Sequence, residues 1–160
     1  MAQDRLMDNL RINIDISPDL QNLINRSGEL APKATKLGLR RITREGSKQI
    51  KGKIRSLGLV KSGALEKSVR GSTTNTKSTI GTKLWYAHFL EDGTKPHIIK
   101  PKKRGRNRFL IINGHYVKKV RHPGVKAYHY AEDTFKEMQN SGMVNSLFAQ
   151  GVEQALRELT

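Results

Sequence analysis

The sequence predicts an α+β fold, with a small antiparallel β-sheet, one long helix packed on it and a C-terminal helix. Three patterns predict it: apolar and polar residues alternate near the start, apolar residues recur at helical spacing in two later stretches, and an Asn-Gly pair separates two β-prone runs. The chain has 160 residues, and a single domain over residues 1–160 is expected. Since 36% of the residues are hydrophobic, the core is expected to be small or completed by partner chains.

The first two predicted elements are a strand and the beginning of a helix. Apolar residues alternate with polar ones from residue 10 to residue 16, which is the pattern of a half-buried strand. Ser17 then supplies a helix N-cap and Pro18 stands at the first helical position, so a helix is expected to begin there.

A long helix is predicted over about residues 30–57, and Gly58 is expected to end it. Gly46 lies in the apolar row of this helix, which indicates close packing against a neighbouring element. The apolar row consists of Leu39, Ile42, Ile50, Ile54 and Leu57. Another face is basic and is expected to be solvated, with Arg41, Arg44, Lys48, Lys51 and Arg55.

The middle of the chain is predicted to be mainly extended after a short helical turn at residues 62–65. Residues 69–80 are rich in Ser and Thr and favour β-structure. Residues 84–90 are apolar on both faces, which predicts a strand that is covered on both sides. The long helix is one expected cover, whereas a neighbouring subunit and the same chain are both open as the other. Asp92 and Gly93 indicate a turn.

A hairpin and a second major helix are predicted in the last third of the chain. Asn113-Gly114 lies between two β-prone runs and accepts positive φ at both positions, which predicts a type I′ hairpin at about residues 108–120. The chain is expected to become helical again after Gly124. The C-terminal helix is predicted from an apolar stripe formed by Met143, Val144, Leu147, Phe148, Gly151, Val152, Ala155, Leu156 and Leu159.

The net charge of +16 comes from two blocks of the chain. Residues 33–70 carry 12 basic and 2 acidic groups, and this block includes the solvated face of the long helix. Residues 95–126 carry 11 basic groups and no acidic one, and they begin with an extended basic loop at about residues 95–108. Like charges keep such a loop extended until a partner neutralises it.

The acid-free block is the candidate contact site for DNA or for a partner ring. Its candidate residues are Lys100, Lys102, Lys103, Arg104, Arg106, Arg108, Lys118, Lys119 and Arg121. They are numerous enough to contact several phosphates, but aromatic residues are not interleaved with the basic loop, so base stacking is poorly supported. Contact with the DNA backbone, docking on an acidic protein surface and a merely solvated loop all remain open.

Composition and motifs argue against catalysis, a cofactor or a metal site. The absence of cysteine excludes disulfides and cysteine-ligated metals, and the five histidines lack the spacing of metal ligands. Glu91 and Asp92 would point to opposite faces of a strand, so a turn-capping role is favoured over catalysis. Neither a phosphate-binding glycine loop nor a nucleophile elbow appears.

Membrane association is not expected either. No apolar run approaches the roughly 20 residues that span a bilayer, and the first residues do not open a signal peptide. A soluble, non-exported chain is therefore the expectation.

Several segments, in this order, resemble the neck and tail-completion proteins of long-tailed, siphovirus-type bacteriophages. Residues 62–69 are similar to the family's Thr/Ser-Gly-Ala-Leu-x-x-Ser-Ile/Val signature, and residues 86–94 to its Tyr-Ala-x-x-x-Glu-x-Gly-Thr stretch. Residues 96–102 and 122–127 resemble the loop segments that follow in many members. The chain departs from the family where members often have Arg-Pro-Phe, since Tyr128 and Tyr130 stand near that position.

The resemblance implies a non-enzymatic virion structural protein that forms a ring, usually a hexamer, at the head–tail junction. Its expected partners are further copies of itself, the tail-terminator and head-connector proteins, and as a further candidate the genomic DNA that passes through the ring. Its expected location is the virion, and the host cytoplasm during assembly. The expected subunit-interface residues are Trp85, Tyr86, Phe89, Tyr128 and Tyr130. The alternative function is that of a free-standing basic nucleic-acid-binding protein, which the charge favours.

Overall fold

A computed structural model describes residues 10–15, 18, 30–101 and 109–158 and shows an α+β fold, as predicted. The described helices are α1 (Leu30–Ser56), α2 (Ala64–Ser68), α3 (Ala87–Asp92), α4 (Tyr130–Asn140) and α5 (Met143–Arg157). The described strands are β1 (Arg11–Asp15), β2 (Arg70–Thr73), β3 (Lys77–Gly81), β4 (His97–Ile99), β5 (Leu110–Ile112), β6 (His115–Val117) and β7 (Val120–His122). The predicted helix start at Ser17 and the loop residues 102–108 lie outside the described residues.

The described strands form three small antiparallel sheets instead of the one sheet that was predicted. The largest has the order β1-β3-β2, so β2 lies at one of its edges. A tight turn joins β2 to β3, where the Thr74 N–H donates to the Lys77 carbonyl over 2.8 Å. The other two sheets are two-stranded ribbons, β4 with β7 and β5 with β6.

Helix α1 has the predicted extent and buries the predicted apolar row except Leu57, which follows the helix and is 36% exposed. Leu39, Ile42, Ile50 and Ile54 are all buried against the sheet and the C-terminal helices. A Cβ atom on Gly46 would lie 2.6 Å from Cδ1 of Ile80, so the close packing inferred at this glycine is confirmed. Burial of this row holds the helix on the sheet, since apolar area removed from water is the main stabilising term.

The C-terminal helix α5 crosses α1 at very short range. A Cβ atom on Gly151 would lie 2.7 Å from the Leu37 carbonyl carbon and closer still to the backbone of Gly38. The two backbones therefore meet with no side chain between them. The predicted apolar stripe is wider than the buried one, because Gly151 and Ala155 are buried whereas Leu156 is 49% exposed.

The prediction of a strand over residues 84–90 is wrong, because this segment forms a turn followed by helix α3. The Ala87 N–H donates to the Leu84 carbonyl and the Phe89 N–H to the Tyr86 carbonyl, each over 3.1 Å. A short continuous apolar run does not distinguish a strand from a helix. The inward face of α3 contains the buried Ala87, and Trp85 lies on the outside. Within the described chain, no helix has both the length and the apolar character needed to cross a membrane.

Candidate functional site

The described parts of residues 94–125 form a feature that we call the cationic arm. It consists of the β4–β7 ribbon, in which His97 lies opposite His122, and the β5–β6 hairpin, in which Leu110 lies opposite Val117. Among the described residues, the strands of each ribbon make their extensive contacts with each other and not with the helices. The arm is therefore poorly covered by the rest of the chain.

The tip of the arm is the predicted hairpin. Asn113 has a φ of 49° and Gly114 a φ of 81°, which confirms the positive φ angles expected at the two turn positions. Its strands are shorter than the predicted span, from Leu110–Ile112 to His115–Val117. The local turn chemistry thus fixes this element without help from the core.

The base of the arm is fixed by the Gly-Thr end of one signature. The Thr94 N–H donates to the Val125 carbonyl over 2.8 Å, and the Val125 N–H donates to the Thr94 carbonyl over 3.1 Å. Gly93 has a φ of 72°, and a Cβ atom there would lie 2.8 Å from the Val125 oxygen. A side chain at this position would therefore separate the two chains that leave the body and form the arm.

The glutamate of the same signature caps helix α4. The buried Glu91 carboxylate accepts the Ala131 N–H at 3.0 Å (to Oε2) and the Glu132 N–H at 2.8 Å (to Oε1). An anion at a helix N-terminus satisfies free N–H groups and complements the helix dipole. The capping interpretation thus fits Glu91, although it caps a helix distant in sequence and lies itself on a helix, not on the predicted strand.

One described cluster has the side chains of a metal site. Ligand atoms of Glu91, His129 and Glu132 all lie within 4.8 Å of one another. The Glu91 oxygens are already engaged by N–H donors, and Glu132 accepts from the Lys136 ammonium over 2.5 Å. The cluster is accounted for as the N-terminal cap of α4 and its ion pair. No local motif reveals this cluster, because Glu91 and His129 lie 38 positions apart in the sequence.

Apolar side chains are exposed along the arm, which the sequence analysis did not anticipate. Tyr116 is 74% exposed and Ile111 is 61% exposed, and Phe109 meets Tyr116 edge-on at a ring-centroid distance of 6.4 Å. Ile98 on the β4–β7 ribbon is exposed as well. Exposed apolar residues that cluster on one feature are typical of a contact surface.

The arm also carries unpaired cations. Of the predicted contact residues, the structure brings Lys100, Lys118, Lys119 and Arg121 onto the arm, all of them exposed, whereas Lys102, Lys103, Arg104, Arg106 and Arg108 lie outside the described residues. No ion pair joins the four described ones to a described carboxylate. The arm thus presents apolar and positively charged groups together.

Of the predicted interface aromatics, Trp85 is exposed, Tyr86 and Phe89 are half-buried and Tyr130 is buried. Trp85 is 71% exposed and packs edge-on against Tyr86 and Phe89, with ring centroids 5.7 and 6.0 Å away. Tyr128 is half-buried. Tyr130 is fully buried, so its assignment to a subunit interface is corrected to the core of this chain. Its burial, with Glu91 nearby, raises the pKa of its hydroxyl.

A second charged feature lies on α1, and we call it the α1 groove. It has a volume of about 740 Å³, runs along the edge strand β2, and is lined by Lys36, Arg40, Thr43, Arg44, Ser47, Gly71 and Thr73. Part of the predicted solvated face of α1 makes contacts within the chain, since the Arg41 guanidinium donates to the Gln154 side-chain oxygen over 2.8 Å. Arg55 pairs with Glu66 and lowers the pKa of that carboxyl.

Comparison with known protein families gives a match over part of the chain. Residues 21–93 match the HK97-gp10-like family, described as "Bacteriophage HK97-gp10, putative tail-component". The resemblance that the motifs predict is thereby confirmed over these residues, which include the first signature and end at Gly93, where the arm begins. No curated protein and no solved structure matches the chain.

Proposed function

We propose that this chain, of which residues 21–93 match a family described as a putative phage tail component, forms a homo-oligomeric ring at the head–tail junction. In that ring it acts as a virion structural protein without enzymatic activity and joins the tail to the head connector. The observation that carries the proposal is the cationic arm, whose apolar side chains are left uncovered by the described part of a single copy.

The arm suits a contact between unlike surfaces. A ring closes when one surface of each subunit binds a different surface of the next. Residues 127–160 carry 5 acidic and 2 basic groups. On α4, Glu132 and Glu137 pair with Lys136 and Lys53 of the same chain, so Asp133 is the described α4 carboxylate that is left to complement the arm in charge. The exposed Trp85 side chain supplies further apolar area for contacts between subunits of the same ring.

The same chemistry favours the partners on either side of the ring. Acidic surfaces of the tail-terminator and head-connector proteins would neutralise arm cations that the neighbouring subunit leaves free. Complementary charge of this kind guides encounter and orientation more than it adds affinity. We expect a hexamer, the usual symmetry of rings on the tail side.

The experiment that tests the proposal locates the chain in finished particles and measures its assembly. Electron microscopy of particles that carry a tagged copy should show the tag at the head–tail junction, and native mass spectrometry of the assembled chain should give a closed ring. Ile111→Ser with Tyr116→Ser should prevent ring formation, because it removes the apolar contact at the tip of the arm.

The matched control is Leu156→Ser, which removes an exposed apolar side chain outside the arm and should leave the ring intact. Particles that contain no copy at the junction would refute the proposal. A ring that forms equally well with and without the two arm side chains would exclude the arm as the contact.

A free-standing nucleic-acid-binding protein is the second candidate function. The unpaired cations Lys118 and Lys119 favour it, because cations without carboxylate partners are available to phosphates. This function predicts that DNA affinity resides in the arm, so that Lys118→Gln with Lys119→Gln should weaken DNA binding.

A further inference from the structure

We propose that the α1 groove is a binding site for the phosphate backbone of double-stranded DNA. The inference goes beyond assembly of a junction ring and does not depend on it. It concerns the other basic block of the sequence, residues 33–70, and shares Arg44 with the face of α1 that is predicted to be solvated.

A row of three cations borders the groove. Lys36, Arg40 and Arg44 follow one another at intervals of four residues, which places them on one face of α1 about 6 Å apart along the helix axis. All three are exposed, and none is paired with a carboxylate among the described residues. The nearest acid in sequence, Glu45, instead accepts from Gln49 over 2.8 Å and lies 3.8 Å from the Lys48 ammonium.

Such a row is mildly unfavourable on an exposed helix face, and a bound anion would relieve it. Like charges four residues apart repel each other on a helix, and nothing in the described chain relieves that repulsion. Phosphates at regular intervals along a nucleic-acid strand would do so. Arginine is well suited to this role because its planar guanidinium binds phosphate through two hydrogen bonds.

The wall of the groove adds uncharged donors. The Thr74–Lys77 turn bond fixes the pairing of β2 with β3, so that both the N–H and the C=O groups of Gly71 and Thr73 point away from β3, toward the open edge of the sheet. The two N–H groups are the ones that a phosphate could use. This open edge lines the same groove as Arg40 and Arg44. Backbone N–H groups beside guanidinium groups are a recurrent way to hold phosphate oxygens.

Ser47 is the remaining donor, and its hydroxyl is unexplained by the fold. The hydroxyl of Thr43 donates to the Leu39 carbonyl over 2.8 Å and also meets that of Thr73 at 3.0 Å. The Ser47 Oγ is buried and has no hydrogen-bond partner within the described residues. Buried hydroxyls without a partner are uncommon. Because Ser47 lines the α1 groove, its hydroxyl is a candidate donor to a phosphate bound there.

The lining favours DNA over an acidic peptide. A peptide that adds a strand to an open sheet edge gains specificity from pockets for its alternate side chains, and the lining contains no apolar or aromatic residue that could form one. The absence of aromatic residues there also argues against stacked single-stranded bases. Of the three ligands, the lining therefore favours duplex DNA, bound through its backbone and independently of base sequence.

The test measures binding of a short DNA duplex to the full chain by fluorescence anisotropy over about 50 to 200 mM salt. The logarithm of the affinity should fall linearly with the logarithm of salt concentration. Arg40→Gln with Arg44→Gln should make that slope shallower by about 1.8, or about 0.9 for each lost phosphate contact. Arg40→Lys with Arg44→Lys keeps the charges and should keep the slope.

Two charge-matched controls locate the site. Lys118→Gln with Lys119→Gln removes two arm cations, and Lys61→Gln with Lys126→Gln removes two exposed cations outside the groove. Both pairs should leave the slope nearly unchanged. Ser47→Ala should weaken binding without lowering the melting temperature, because the hydroxyl has no partner to lose in the free protein.

Three results would overturn the inference. They are an unchanged slope in the Arg40→Gln, Arg44→Gln variant, a loss found only in the arm variant, and equally good competition by poly-glutamate of equal charge. The second result would support the arm as the DNA site, and the third an acidic protein as the ligand. Ring assembly is measured on other variants and in particles, so failure of either proposal is recognised separately.

Discussion

At the scale of single residues, Glu91 connects three parts of the molecule. Its side chain caps α4, and its carbonyl accepts the His129 N–H over 3.1 Å, so α3 holds the segment that enters α4. Two residues further on, Gly93 approaches Val125 closely and Thr94 bonds to it, and together they hold the base of the arm. The signature shared with the phage family thus has a structural explanation: its residues fasten one segment of this chain to another.

Replacing Glu91 should reveal how much stability this cap contributes. Glu91→Gln keeps the shape of the side chain but loses the charge and turns one acceptor into a donor that faces N–H groups. We expect a loss of about 1.5 to 3 kcal/mol in the free energy of unfolding, the range for hydrogen bonds to charged groups. Urea unfolding followed by circular dichroism measures it.

Asp92→Asn is the matched control, because it makes the same chemical change at an exposed neighbour. Its expected effect is within about 0.5 kcal/mol, as for most surface substitutions. Equal losses for the two variants would contradict the assignment of Glu91 as the cap.

At the scale of elements, the contact between α1 and α5 depends on glycines. Gly151→Ala would force a methyl group into the backbone of α1, with no flexible side chain to move aside. We expect a destabilisation of about 1 to 3 kcal/mol, the usual cost of overpacking. Thermal unfolding by circular dichroism is a suitable measurement.

The same substitution at Gly52 is expected to have the opposite effect on stability. This glycine lies within α1, and a Cβ atom there would meet nothing within 4 Å. Gly52→Ala should therefore stabilise the chain by about 0.4 to 1 kcal/mol through the lower entropy of the unfolded state. Equal destabilisation of the Gly151→Ala and Gly52→Ala variants would contradict the close crossing of α1 and α5 as the cause of the loss at Gly151.

Elements with local signals could be predicted from the sequence, and those without could not. The positive φ angles of Asn113 and Gly114 and the periodic row of α1 depend on neighbours in sequence. Helix α3 could not be recognised, because residues 84–90 are apolar at every position but one and carry neither period. The division of the strands into three sheets follows from tertiary contacts that no local pattern specifies.

The candidate sites show the same division at the scale of the whole molecule. The basic character of the arm was evident from residues 95–126 alone, whereas the exposure of Ile111 and Tyr116 depends on how little of the chain covers them. The α1 groove joins Arg40 to Gly71 across 31 residues, and only the fold brings them together. Aromatic character alone does not distinguish a core residue from a contact residue, so the prediction of an interface role fails for the buried Tyr130.

The arm and the rest of the molecule should prove separable in stability. Replacing residues 97–122 with a short Gly-Ser linker retains the backbone bonds between Thr94 and Val125 and the cap at Glu91. Since the ribbons pack mainly on themselves, we expect the melting temperature to change by only a few degrees, while ring assembly is lost. Thermal unfolding and native mass spectrometry measure the two effects. A large drop in melting temperature would show that the arm contributes to the core, and its exposed apolar residues would then need no partner chain to explain them.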